Sequence, residues 1–343
     1  MADLWLIPPM SIDPEYRWHQ EWLGFLQPEG LVVSPPALCA AQAHINRNIA
    51  PTQQVLIDLV RTEKVSAGPA RRRADQAVVP DLPDFCVKFL GWRRSALVGA
   101  TGQIPESLHV GLSEYGETLK PDYAVPDPDN QGKWLLLIKT AETGTDFDAA
   151  EKRDGHQWHA SAEARFERLL RETEVAVGLL FNGTNLRLVY APRGESSGYL
   201  TFPIEAMSEV SGRPIVAVLH MLLSADRLFT VPTAQRLPAI LRESRKYQNE
   251  VSTTLAEQVL AALNELLRGF QAANEATQGE LLKEALQKDP NHMYGGLLAS
   301  LMRMVFISRE RVLRNRPLIV PQSWNSSLYS LLDFVEVGLA SPP

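Results

Sequence analysis

Cysteine is nearly absent from this 343-residue chain, which has two, Cys39 and Cys86. Two distant cysteines without a CxxC partner make neither a disulfide framework nor a zinc ribbon. They read as free thiols buried in a protein of a reducing compartment. Long apolar runs are lacking too: none approaches the ~18 residues that a membrane helix needs. No basic-then-apolar leader opens the chain. The expected location is cytoplasmic, with no membrane partner. Positive charge is also short, because 34 Lys and Arg stand against 40 Asp and Glu, for a formal net charge of −6. A small domain that lives on nucleic acid is usually basic overall, so any DNA contact here must come from a local patch.

What remains is ordinary for a soluble globular protein, with 45% hydrophobic and 22% charged residues. The length suggests about two domains. No internal repeats occur. Between Leu108 and Phe202 the pattern predicts strand, strand, strand, helix, strand, strand. Leu108–Leu112 precedes a turn around Tyr115-Gly116-Glu117. Pro121–Val125 leads through a Pro/Asp/Asn/Gly loop into Trp134–Lys139. Helical spacing runs from Trp158 to Glu172. Val175–Phe181 and Asn185–Tyr190 then return as strands about Asn182-Gly183-Thr184, and Tyr199–Ile204 reads as an edge strand.

Helices flank this unit. Tyr16–Leu26 has helical apolar spacing and stops at Pro28-Glu29-Gly30. Ser34 caps a second helix expected to run to Asn48, and Pro51 opens a third. Ser66–Val78 reads as a loop, and Asp84–Trp92 as a short helix or strand. Beyond Ser211 the strand signal stops. Ile215–Leu223, Leu237–Tyr247, Val251–Phe270, Gly279–Lys288 and Met293–Phe306 read as helices, with the longest apolar stripe on Val251–Phe270. The expected division is an α/β domain over 1–207, a helical connector over 208–306 and a divergent tail over 307–343.

Pro121-Asp122 followed by Lys139 at the end of the next apolar strand is the layout of a three-layer α/β restriction-endonuclease-like core, a mixed sheet with flanking helices. In metal-dependent phosphodiester cleavage, one carboxylate at a strand start and a second on the next strand hold Mg²⁺. A lysine two residues past the second carboxylate supports the attacking water. Strand alternation aims residues i and i+2 into one cleft. Asp122 fits the first position and Lys139 the last. Leu137 stands where the second acid belongs, and leucine cannot ligate a metal. Glu142, Asp146, Asp148 and Glu151 are candidates for a displaced acid. His156 and His159, at i and i+3, lack the partners of a zinc site and read as surface or capping residues. Arg71-Arg72-Arg73 and Arg93-Arg94 are candidate DNA-phosphate contacts, with a solvated surface as the plainer reading.

Several short stretches resemble one family. They are Glu21–Leu26, Leu31–Pro35, Arg165–Glu172, Gly178–Gly183, Leu186–Val189, Ser244–Asn249 with the Val251–Phe270 helix, and Tyr294–Phe306. Together they look like the amino-terminal region of large adenine-specific DNA methyltransferases of type IIG-like, DISARM-like and BREX-like restriction–modification and phage-defence systems. The resemblance implies a nuclease-like fold, active in some members and degenerate in others, ahead of a methylase that uses S-adenosylmethionine. This chain carries no Asn-Pro-Pro-aromatic tetrapeptide and no Gly-rich strand-to-helix turn. S-adenosylmethionine is therefore not expected to bind it, and the methylase would belong to a longer gene or a separate subunit.

Three readings stay open on the sequence. The favoured one is a DNA-binding and scaffolding module whose nuclease-like site is degenerate. The second is an active Mg²⁺-dependent endonuclease using Asp122, Lys139 and a displaced acid. The third is a truncated remnant of a longer methyltransferase.

Overall fold

Apolar runs too short for helices and bounded by Gly, Pro and Asn become strands, and amphipathic runs close over them. The computed structural model describes residues 14–26, 28–30, 32–67, 72–150 and 159–280, with 283, 295, 296, 299 and 303. In chain order the elements are α1 (Pro14–Leu26), β1 (Glu29–Gly30), α2 (Pro35–Ala40), α3 (Ala50–Leu59), β2 (Arg61–Ala67), β3 (Arg72–Val78) and α4 (Leu82–Lys88). Next come β4 (Val110–Leu112), β5 (Glu117–Leu119), β6 (Tyr123–Pro126), β7 (Trp134–Thr140), α5 (Ala162–Thr173), β8 (Val177–Phe181), β9 (Asn185–Tyr190) and β10 (Gly198–Pro203). They are followed by α6 (Ile204–Ser208), α7 (Arg213–Leu223) and α8 (Leu237–Ala276).

The main sheet has six strands in the order β1-β10-β9-β8-β7-β6. β7 and β8 pair in parallel, with Leu137 beside Gly178 and Lys139 beside Leu180, and every other pairing is antiparallel. α5 lies between β7 and β8 in the chain, as a parallel pair requires a crossover. Ser161 caps α5 by accepting the Ala164 N–H at 3.1 Å. One face of the sheet packs Leu136, Ile138, Leu179, Leu188 and Phe202 against Trp22 of α1, Phe85 of α4 and Leu219 of α7. The other face packs Leu137, Leu180 and Val189 under Phe166, Leu169 and Leu170 of α5. β7 and β8 are covered on both faces, which is why they read as unbroken apolar runs.

Several expectations change. The described residues of the stretch expected as a loop over Ser66–Val78 are strand: β2 and β3 pair antiparallel from Arg61↔Val78 to Ala67↔Arg72. The opposed charges of Lys64 and Asp75, directly across the ladder, suit the pairing. The helix expected to be capped by Ser34 and to reach Asn48 ends at Ala40, and Ser34 holds its N-cap position without a side-chain cap hydrogen bond. Gln42 takes a left-handed φ of 51°, and the carbonyls of Ala41 and Gln42 accept from the buried Arg227 guanidinium at 3.2 and 3.3 Å. That guanidinium also donates to the carbonyls of Met221 (3.3 Å) and Gln235 (2.7 Å). β10 is not an edge, because β1 pairs Glu29 and Gly30 with Tyr199 and Gly198. The 108–112 strand starts at Val110 after a turn of 3-10 helix at Glu106–Leu108, and β4 with β5 forms a separate two-stranded sheet.

Past residue 207 the chain stays in the same core, where Val216, Leu219, Leu222, Leu237 and Ile240 share a cluster with the sheet. The compact units divide between Asn249 and Glu250. The two helices expected at 237–247 and 251–270 are one helix of 40 residues. The expected helices beyond Gly279 lie largely outside the described residues, as does the whole 307–343 tail. No helix among the described residues is long and apolar enough to cross a membrane.

Gly178 sets how closely α5 approaches the sheet. A Cβ there would lie 2.5 Å from Phe166 Cζ and 2.9 Å from Leu170 Cδ2, both on buried side chains. Gly178→Ala is expected to cost ~1–3 kcal/mol in urea unfolding through overpacking. Gly111→Ala, with nothing within 4 Å of its Cβ, is expected to change stability by less than about 1 kcal/mol.

Candidate nuclease-like site and its neighbouring cleft

Asp122 stands at the entry to β6. Its N–H donates to the Ile138 carbonyl at 2.9 Å, which sets it across from Lys139 near the end of β7. The two side chains meet: Lys139 Nζ lies 2.9 Å from Asp122 Oδ1. The other oxygen, Oδ2, accepts from both the N–H and the hydroxyl of Thr140, each at 2.7 Å. Sequence spacing thus brought the aspartate and the lysine together as expected, and it missed Thr140. Leu137, two residues before Lys139, is fully buried under α5.

Mg²⁺ takes near-octahedral oxygen coordination, commonly from one or two carboxylates plus water or phosphate. The residues here fit it poorly. Both Asp122 oxygens already hold cationic or N–H and O–H donors, and a leucine fills the second acid's place. Of the displaced-acid candidates, Glu142 and Asp146 are exposed in the segment after β7. Asp146 Oδ1 accepts the Asp148 N–H at 3.0 Å, and Glu151 lies outside the described residues. Among the described residues no three His, Cys, Asp or Glu side chains form a group that could hold a metal ion.

The sequence missed a second cluster on the α5 side of the sheet. Arg187 of β9 is buried and forks onto Asp148, with Nη1 to Oδ1 at 2.7 Å and Nη2 to Oδ2 at 2.9 Å. Its Nη1 reaches Glu163 Oε2 at 3.3 Å, and its Nε donates to Thr201 Oγ1 at 3.0 Å. The guanidinium lies 3.8 Å from the centroid of the Tyr199 ring. Burial works against the Arg187 charge, but Asp148 and Glu163 more than offset it and hold its pKa above the ordinary value. Burial pushes Glu163 up to about 7, opposed by Arg187. Glu163 Oε1 is buried without a hydrogen-bond partner. The signal available in the sequence was an arginine between leucines in an apolar strand, Leu186-Arg187-Leu188.

Beside this cluster is a cleft of about 400 Å³, lined by Gln76, Asp146, Asn185, Arg187, Thr201 and Glu205 among others. Of the candidate DNA contacts, Arg93 is exposed at the start of a turn of 3-10 helix. Arg94 pairs with Asp84 at 3.3 Å. Arg72 and Arg73 lie on β3, their side chains outside the described set, and Arg71 is outside the described residues altogether. His159 is exposed, and His156 is not among the described residues.

The folded-state pKa of Glu163, about 7, exceeds its ordinary 4.5. Its contribution to stability is therefore whole below about pH 4.5 and is lost as pH rises through about 7, on the order of 3 kcal/mol. Glu163→Gln should abolish this component. The stability difference between wild type and variant, measured by urea unfolding at pH 5 and pH 8, should favour the wild type more at pH 5. Parallel profiles would rule the assignment out.

A family model, MmeI, N-terminal domain, matches residues 54–269. No curated protein and no solved structure matches the chain. The matched span includes β2 to β10, α4 to α7 and most of α3 and α8, and it leaves out α1, β1 and α2. It covers well over half of the sequence, and the chain accordingly belongs to the family of the MmeI N-terminal domain, a module of type IIG restriction–modification enzymes.

Proposed function

We propose that this chain is the DNA-engaging amino-terminal module of a restriction–modification methyltransferase system, with a nuclease-like core that has lost cleavage. Support for a nuclease-like core comes from topology. β6 and β7 are antiparallel, α5 crosses over, and β8 returns parallel to β7, with Asp122 and Lys139 on the strand ends where a restriction-endonuclease-like fold puts its acid and lysine. The observation that carries the loss of cleavage is the closed Asp122–Lys139–Thr140 set beside a fully buried Leu137. Without a second carboxylate, the lysine serves as a partner for the aspartate instead of supporting a metal-bound water.

Adenine methylation belongs, on this reading, to a methylase in a longer chain or a separate subunit, and that methylase would bind S-adenosylmethionine. A phage-defence setting of the DISARM-like or BREX-like kind is part of the proposal on the sequence resemblance alone. The site of action is the cytoplasm, where the DNA partner is.

Supercoiled plasmid incubated with the protein and Mg²⁺ or Mn²⁺ tests the loss of cleavage. Wild type and the Asp122→Ala/Lys139→Ala double variant should both leave it uncut. Asp122→Ala alone should lower unfolding stability by ~1–3 kcal/mol, because it strands the Lys139 and Thr140 donors. Metal-dependent nicking by the wild type that disappears in the double variant would replace this reading with an active endonuclease.

A further inference from the structure

The cleft beside the Arg187 cluster has polar groups that the Asp122–Lys139 pair does not use. Its volume of about 400 Å³ falls in the ~300–1,000 Å³ range of small-molecule sites. Arg187 is the one basic residue among the described residues that line it. Its donors are committed to Asp148, Glu163 and Thr201, and Asp148 balances its charge. What stays open in the cleft is mostly acceptors. Glu205, in the first turn of α6, is exposed, and its carboxylate meets no donor among the described residues. Asp146, in the segment after β7, gives one oxygen to the Asp148 N–H and keeps the other open. Asn185, at the start of β9, donates through Nδ2 to Thr184 Oγ1 at 3.1 Å, and its Oδ1 remains open. The half-buried Gln76, on β3 of the β2–β3 hairpin, adds an unengaged amide. Glu63 stands directly across the ladder from Gln76 and is exposed, so it adds negative charge on the same side. The lining also includes apolar surface at Ala77, Phe147 and Pro203.

We infer that this cleft binds a small aliphatic cation of the diamine and polyamine class. An ammonium group has donors and no acceptor, so it complements a lining whose open atoms are mostly acceptors. Its charge matches two acids, Asp146 and Glu205, that no cation among the described residues neutralises. A concave site of one sign raises the local concentration of ligands of the other. The acids come from separate elements, which suits a ligand with a cation at each end. A methylene chain joining those ends can lie along apolar wall while its heads stay at polar groups, and Ala77 and Pro203 supply such wall. A bare metal ion fits less well, because among the described residues no three acid, His or Cys side chains gather as a metal requires. Amine binding here does not depend on DNA engagement by the same chain.

The test is isothermal titration calorimetry of the full chain with putrescine and with spermidine. Butanediol, which has the putrescine chain without its charge, and MgCl₂, which has the charge without the chain, are the comparison titrants. The cleft variant is Asp146→Asn/Glu205→Gln, which removes both charges, preserves side-chain shape and keeps an acceptor for the Asp148 N–H. Glu106→Gln/Glu257→Gln removes the same charge from exposed acids that do not line the cleft and acts as the control. The wild type should bind both amines saturably at a single site and give no binding heat with butanediol. The cleft variant should bind them about tenfold more weakly or worse, as expected when hydrogen bonds between charged groups are lost, while the control matches the wild type. Equal weakening in the two variants would mean that net charge alone draws the amine, and the site falls. Butanediol or MgCl₂ binding as tightly as putrescine also overturns it, as does a wild type that binds neither amine.

Discussion

Asn182 is nearly inaccessible to solvent, and its side-chain amide holds the end of the sheet together. Oδ1 accepts from the Thr184 N–H (3.1 Å), the Thr184 hydroxyl (3.0 Å) and the Asn185 N–H (2.7 Å), and Nδ2 donates to the Thr145 carbonyl at 2.7 Å. The turn it closes is tied by backbone bonds to Val79 after the hairpin and to Ile204 at the start of α6. The Asn182 carbonyl also accepts the Gly144 N–H at 3.2 Å. One turn thereby fixes the hairpin root, the segment after β7 and the first helix after the sheet. These are the walls of the cleft. A buried amide whose oxygen and nitrogen both find partners makes such a junction rigid, whereas one left unpaired would cost a desolvation penalty of ~1–3 kcal/mol.

The same end of the sheet shows the effect of changing one residue type in a catalytic layout. In the Asp-(acid)-x-Lys arrangement two carboxylates share a cation and the lysine stands by. With Leu137 in the acid's place, the remaining aspartate and lysine have each other, at 2.9 Å and only part-buried. The pair persists as a local tie between β6 and β7. The Arg187 cluster distributes its charge differently. Its cation is buried, and the half-exposed Asp148 takes both arms of the fork. Glu163, held at the edge of the fork in the dry interior, is left to carry its proton near neutral pH.

Much of this was legible in the sequence. The apolar runs at 134–139 and 175–181 read as strands because both of their faces are buried. The Asp122–Lys139 meeting was readable because an antiparallel pair joined by a short loop fixes its own register. The hairpin was not legible. Its strands carry too few β-branched residues and too many charges, and Gly68-Pro69 with three arginines resembles any solvated loop. The early end of α2 was hidden for another reason: Arg227, whose guanidinium holds the turn that ends it, is 185 positions from Gln42. The Arg187 cluster was invisible because Asp148, Glu163 and Arg187 share no local pattern and meet only after the sheet is assembled.

Arg227 also bears on how the chain reaches its fold. Its four carbonyl partners lie at Ala41 and Gln42, at Met221 and at Gln235. None is a carboxylate, so no long-range ionic attraction gathers them beforehand. Closing a loop of 185 residues carries an entropic cost that grows slowly with length, and the chain bears that cost before the contact can stabilise it. The amino-terminal helices and the segment around 221–236 are therefore expected to lock together late, onto a sheet whose neighbouring strands have already paired. Guanidinium geometry, with donors diverging in one plane, suits it to be the last fastener placed across three separate segments of backbone.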